Sequence, residues 1–167
     1  MKIAAHTKSI SATFFFLSFL EIVKADNLPP INPTGTYALR SNEQNLTSQS
    51  NGKFTQSTQV QTGFSGVIKV DWINQDKVLV DLNGNKGFPS FNQGSFTATL
   101  VYKKGMAVYA PVEYDKSCVI TMKWLRNALV VSQSSDDANT ACGFGHAVAV
   151  DGVYRKISSK RPKISTN

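Results

Sequence analysis

The sequence predicts an all-β fold: a single antiparallel meander of about eight strands, forming a small barrel or barrel-like sandwich with one disulfide. Three observations carry this. After Gly63 the chain breaks into short segments in which apolar and polar residues alternate. Most breaks between them are tight turns of Gly, Asn, Asp and Lys. Past the first 25 residues no stretch keeps a 3.6-residue period.

The N-terminus reads as an export signal. Lys2 and Lys8 give a basic start, and residues 10–20 form an apolar run of 11. Val23 and Ala25 then supply small residues at the −3 and −1 positions of a cleavage site. A spanning helix needs about 20 apolar residues, and Glu21 and Lys24 end the run too early. Residues 1–25 are therefore expected to be a signal peptide, and no integral membrane segment is expected after cleavage. The expected location is periplasmic or secreted. Cleavage after Ala25 leaves 142 of the 167 residues, with 15 basic side chains against 10 acidic, and lowers the net charge from +7 to +5. A moderately basic exported chain can meet anionic lipid, a cell-wall polymer or an acidic protein. The compartment argues against nucleic acid.

Residues 26–34 form a Pro-rich leader, since prolines fix φ and remove backbone donors. Gly35, Thr36, Tyr37, Ala38 and Leu39 make a first strand of the domain, which spans 35–157. Residues 41–63 are rich in Ser, Thr, Asn and Gln and nearly free of large apolar residues. Such a segment buries little surface, and it reads as a long mobile loop with at most a weak strand at 54–60.

The segment at 67–73 puts Ile68, Val70 and Trp72 on one face, and the segment at 77–82 does the same with Val78, Val80 and Leu82. A turn-rich loop over 83–89 follows, and Phe88 and Phe91 stand in the aromatic stretch 88–92 between Gly87 and Gly94. Strands are then expected at 96–102, 107–114, 118–124 and 128–133, with Pro111 marking an edge or bulge. The last strand is expected from about His146 to Ile157. The units Gly35-Thr36-Tyr37 and Gly152-Val153-Tyr154 bookend the domain. They predict that the first and last strands pair. A basic tail occupies 158–167, and its ordinary role is a solvated end.

The two cysteines, Cys118 and Cys142, are expected to form one disulfide, as an exported chain with two cysteines does most simply. It closes a 25-residue loop, for which the chain-entropy description gives about 3 kcal/mol. A zinc site would lack a ligand, since His146 is the one histidine after Ala25 and no Cys-x-x-Cys occurs. No metal and no cofactor are expected.

Catalytic groups are sparse. His146 would need a carboxylate and a nucleophile beside it, and Gly-x-Ser-x-Gly is absent. Asp136-Asp137 reads as an exposed turn, because one acidic pair falls short of a calcium loop. The chain is expected not to be an enzyme. The loop Phe88-Pro89-Ser90-Phe91 is an anchor for a partner or folds back as a plug of the core, the commoner outcome. Tyr102, Tyr109 and Tyr114 line a groove or sit half-buried in the sheet with wet hydroxyls. The candidate partner-contact residues are Phe88, Phe91, Tyr109 and His146.

Cys118-Val119-Ile120, then Cys142-Gly143-Phe144-Gly145-His146, then Asp151-Gly152-Val153-Tyr154-Arg155-Lys156 resembles the ending of small exported bacterial β-proteins similar to the periplasmic lysozyme-inhibitor group. The resemblance spans about residues 66–156 and implies a small one-disulfide barrel. In the inhibitors a Ser-Gly-x-x-Tyr loop enters the enzyme cleft. Here Ser65-Gly66-Val67-Ile68 lacks the tyrosine, so no functional residue carries over. The function expected is a non-catalytic binding protein with a protein partner in the cell envelope, an inhibitor or immunity-type protein of a cell-wall-active enzyme being the concrete form. The alternative is a carrier of a small ligand or lipid, which needs an empty apolar cavity inside the barrel.

Overall fold

The computed structural model describes residues 31–40, 42–50 and 53–165. The segment read as a signal peptide and residues 26–30 of the leader lie outside the described residues. Ten strands form: β1 (Gly35–Leu39), β2 (Asn42–Ser50), β3 (Lys53–Thr62), β4 (Ser65–Asn74), β5 (Lys77–Asn85), β6 (Gln93–Val101), β7 (Met106–Tyr109), β8 (Val119–Trp124), β9 (Ala128–Ser134) and β10 (Gly152–Ser158). Eight of them make one antiparallel sheet in the order β6-β5-β4-β1-β10-β9-β8-β7, which curls into a nearly closed barrel. No helix of the described residues is long and apolar enough to cross a membrane.

The expected pairing of first and last strands is present. Tyr37 lies opposite Lys156 and Ala38 opposite Arg155, so β1 and β10 zip the two halves of the meander together. Tyr37 and Tyr154 both point inward and are buried. Gly35 stands at φ 146°, and a Cβ there would overlap the Ser158 carbonyl. Only glycine fits so close an approach of two backbones.

The alternation read from the sequence sets the core. Ile68, Val70, Val78, Val80, Leu82, Ile120, Met122 and Leu129 expose none of their surface. Trp124, Tyr37 and Tyr154 fill the space between them.

The seam lies between β6 and β7. Their hairpin turns on Lys104 and Gly105, both at positive φ, with Lys103 and Met106 exchanging two hydrogen bonds of 2.9 Å. Past that bridge no ladder joins the two strands. The Phe96 and Tyr109 rings close the gap instead, stacked at 3.8 Å and 3° from parallel.

The structure departs from two expectations. The described part of 41–63 is not a loop with one weak strand: β2 and β3 form a hairpin of their own, apart from the main sheet. The backbone of this polar segment satisfies itself within the pair. The apolar run after His146 is not strand until Gly152. Ala147 takes φ 53°, which breaks any extended run, and Val148 and Val150 are buried without belonging to the sheet.

The two barrel ends differ. One carries the turns at 75–76, 102–105 and 125–127, together with the leader and the C-terminal tail. The other carries the segments at 86–92, 110–118 and 135–151, and the β2–β3 hairpin leaves and rejoins the sheet there. The first is the turn end and the second the loop end.

Candidate functional site

The loop end is built around a cap. Residues 141–150 lie against the barrel mouth, and Phe144, Val148 and Val150 are buried. Gly94 and Gly84 of the strands beneath make room. A Cβ at Gly94 would overlap the Phe144 ring, and one at Gly84 would come within 2.8 Å of Val150. The core plug is therefore Phe144, and Phe88 and Phe91 do not take that role.

Three ties hold the cap. The first is the Cys118–Cys142 disulfide, with Cα atoms 5.1 Å apart, which joins the cap to the start of β8. The second is Asp115. Its carboxylate accepts from Ser117 N at 2.9 Å, Ser117 Oγ at 2.7 Å, Ser135 Oγ at 2.8 Å and Cys142 N at 3.0 Å. One side chain thereby joins the β7–β8 loop, the end of β9 and the cap. The third is the Gly145 N–H donated to the Gln93 carbonyl at 2.9 Å, beside Asn92 Nδ2 donated to the His146 carbonyl at 2.9 Å. This last tie joins the cap to the aromatic loop at 86–92.

The electrostatics follow from the hydrogen bonds. The Cys142 amide and the Ser117 and Ser135 hydroxyls hold the Asp115 carboxyl far below the usual carboxylate range. So strongly stabilised a carboxylate is a poor proton acceptor for either serine. Asp115, Cys118 and Cys142 also stand close enough to suggest a metal cluster. Both sulfurs are in the disulfide, and the carboxylate is already occupied by four donors. Asp137 is tied locally: Thr140 Oγ1 donates to it at 2.7 Å and Asn139 N at 2.8 Å, which lowers its pKa.

Around the cap stands an exposed aromatic rim. Phe88 and Phe91 are 46% and 48% exposed and meet edge to face at 6.4 Å. Their loop is closed by Lys86 N to the Asn92 carbonyl and Phe91 N to the Gly87 carbonyl, so the rings stand on a fixed base. Tyr114 is 77% exposed on the adjacent loop.

All four candidate contact residues lie toward this end, and three of them are exposed. Phe88 and Phe91 are exposed, and His146 is exposed on the cap beside their loop. Among the described residues no side-chain hydrogen bond orients the His146 ring. Tyr109 is different: it is half-buried and spent on the seam.

Tyr114 was expected on a strand over 107–114, and β7 in fact ends at Tyr109. The Pro111 carbonyl accepts from Tyr114 N and Asp115 N, which turns the chain there. The signal for that turn is Pro111 followed by Asp115-Lys116-Ser117, an Asp two residues before a donor it caps. Tyr102 is also not wet: it is buried at the turn end and donates to the Ile31 carbonyl at 2.6 Å.

No family model, no curated protein and no solved structure matches this chain.

Proposed function

We propose that this chain is a non-catalytic, exported binding protein that engages a protein partner through its loop end. The observation that carries the reading is the exposed rim of Phe88, Phe91 and Tyr114 on loops tied to a disulfide-anchored cap. Aromatic side chains on a fixed base lose little entropy on docking and are enriched among the residues that dominate binding energy. A disulfide also fits an oxidising compartment outside the cytosol.

The partner class is a cell-wall-active enzyme, and the chain acts as its inhibitor or immunity protein. This step rests on the expected export, the single disulfide, the small rigid β scaffold and the poverty in catalytic groups. Because the Ser-Gly-x-x-Tyr insertion loop is missing, the contact falls to the aromatic rim. The carrier alternative needs interior space, and eight core side chains with no exposed surface leave it little room.

The test uses the oxidised chain from Asp26 onward against a panel of muramidases and peptidoglycan amidases. The expected result is stoichiometric inhibition of one class, relieved by the triple substitution Phe88→Ala, Phe91→Ala, Tyr114→Ala. If no enzyme of the panel is inhibited and no envelope protein is retained at one-to-one stoichiometry, the reading is wrong.

A further inference from the structure

We infer that the opposite end of the barrel, the turn end, docks on an anionic phospholipid bilayer. This inference does not depend on the protein partner proposed for the loop end.

The first observation is the charge. The turn end exposes Lys77, Lys103, Lys104 and Arg126 on or beside its turns, and Lys160 and Lys163 on the tail. Against them stand Asp76 and, on β4, Asp71. Asp71 is already taken: Arg161 holds its Oδ2 with Nη2 at 2.7 Å and Nε at 3.0 Å. That contact also pins the tail across this end, so Lys160 and Lys163 are presented there and not on a free terminus. The described loops of the other end carry Arg40, Lys86 and Lys116 against five carboxylates. The positive charge of the described loops and tail is thus polarised along the barrel axis.

The second observation is the kind of apolar residue exposed among these cations. Ile73, Val101, Met106, Leu125 and Ile157 are all exposed at or near the turn end. A soluble polyanion would use the cations and leave these side chains idle. A bilayer uses both, since lysines and arginines meet the headgroup charge and aliphatic tips enter the acyl boundary.

The third observation is where the chain enters. Ile31 and Pro33 are fixed at the turn end by the hydroxyls of Tyr102 and Tyr37. The leader therefore leaves the barrel from the same face as the cationic turns and the tail.

The experiment is vesicle flotation of the oxidised chain from Asp26 onward. Vesicles of phosphatidylcholine with about a third phosphatidylglycerol are compared with pure phosphatidylcholine. Partitioning onto the anionic vesicles is expected to exceed that onto neutral ones by at least about tenfold in 0.1 M salt and to fall as salt shortens the Debye length. The variant K77E/K103E/R126E should remove most of that anionic preference, lowering partitioning by at least about fivefold. The loop-end control K86E/K116E should leave it within about twofold. The pair I73S/L125S should weaken binding at constant charge, and L125S alone serves if the pair melts early.

Equal partitioning onto both vesicle types, or a loop-end control as damaging as the turn-end variant, overturns the inference. Salt-sensitive binding that ignores I73S/L125S and is matched by soluble polyglutamate overturns it as well, by assigning the surface to a polyanion. Loss of enzyme inhibition in the rim variants would leave these results unchanged, so the two readings fail separately.

Discussion

The two ends of this barrel are held by different physics. At the turn end the connections are two, four and three residues long. Ladder hydrogen bonds run almost to the tips, and the leader is bonded to two buried tyrosines. At the loop end the connections run to seven, nine and seventeen residues. Main-chain pairing cannot organise segments that long. A disulfide, one carboxylate with four donors and a buried phenylalanine do it instead. Surface variation is therefore cheap at the loop end provided the staples stay, which is the arrangement expected of a binding surface on a rigid scaffold. The turn end has little freedom in its backbone, and its variation is confined to side-chain charge.

The largest effect that would sharpen this contrast comes from the plug. Phe144→Ala should cost about 3–5 kcal/mol, as truncation of a buried phenylalanine does. Gly94→Ala should reach a similar state from beneath by displacing the same ring. The loss should be seen in denaturant unfolding, and hydrogen exchange should place it first in residues 135–151. If exchange rises evenly over both ends, the cap and barrel are one cooperative unit and the contrast fails.

Next comes the disulfide. Replacing Cys118 and Cys142 by serine should cost about 3 kcal/mol, which lowers Tm by about 10 °C. The Asp115 staple has a pH signature. Its folded-state pKa is depressed, so its contribution is complete above the unfolded value of about 4 and is lost as pH falls through the folded one. Wild type should therefore be more stable than Asp115→Asn at pH 6, and the difference should shrink below about pH 4. A difference that stays constant down to pH 2 would mean that the carboxylate charge contributes nothing.

The turn end responds to alkali. Tyr37 and Tyr102 donate to leader carbonyls, and burial raises both pKa values above 10. Folding favours their neutral forms more strongly than the unfolded chain does, so the contribution is whole below pH 10 and is lost as pH rises further. Tyr154, under the cap, is raised by burial as well, so alkali strains both ends whereas the Asp115 staple makes acid an attack on the loop end. Tyr37→Phe should cost about 1 kcal/mol, the net value of one buried hydrogen bond. It should also speed proteolysis of the leader while leaving residues 135–151 protected.

How much of this could be read from the sequence differs by end. The barrel strands were legible because Ile68, Val70, Val78, Val80 and Leu82 recur at every second position, with Lys69, Asp71 and Asp81 among the residues between them, and alternation is what a one-sided sheet requires. The disulfide and the β1–β10 pairing were legible from two cysteines and two Gly-x-Tyr units. The run from His146 to Asp151 was misread as strand. An apolar residue buried by a cap and one buried in a ladder look alike in sequence, and only the backbone at Ala147 separates them. Phe88, Phe91 and Phe144 posed the same problem. All three lie in Gly-rich loops, and nothing local says which ring faces inward. The polarity of charge along the axis was hidden because it depends on which turns share an end, and that is set by topology.

The smallest expected effect tests the contrast most directly. Phe88→Ala and Phe91→Ala remove two large aromatic rings from the same end as Phe144. By residue type alone each should be as costly as the plug. Their exposure of 46% and 48%, against 7% for Phe144, says otherwise. Half of each ring is already wet, and the loop beneath is held by main-chain bonds that the substitutions leave in place. The unfolding free energy should change by no more than about 0.5 kcal/mol per site, with Tm and the denaturant slope close to wild type. If either substitution costs as much as Phe144→Ala, the rim is a second plug and no longer a candidate contact surface. If both are silent in stability yet abolish inhibition of a cell-wall enzyme, the energy of those rings belongs to the partner and not to the fold.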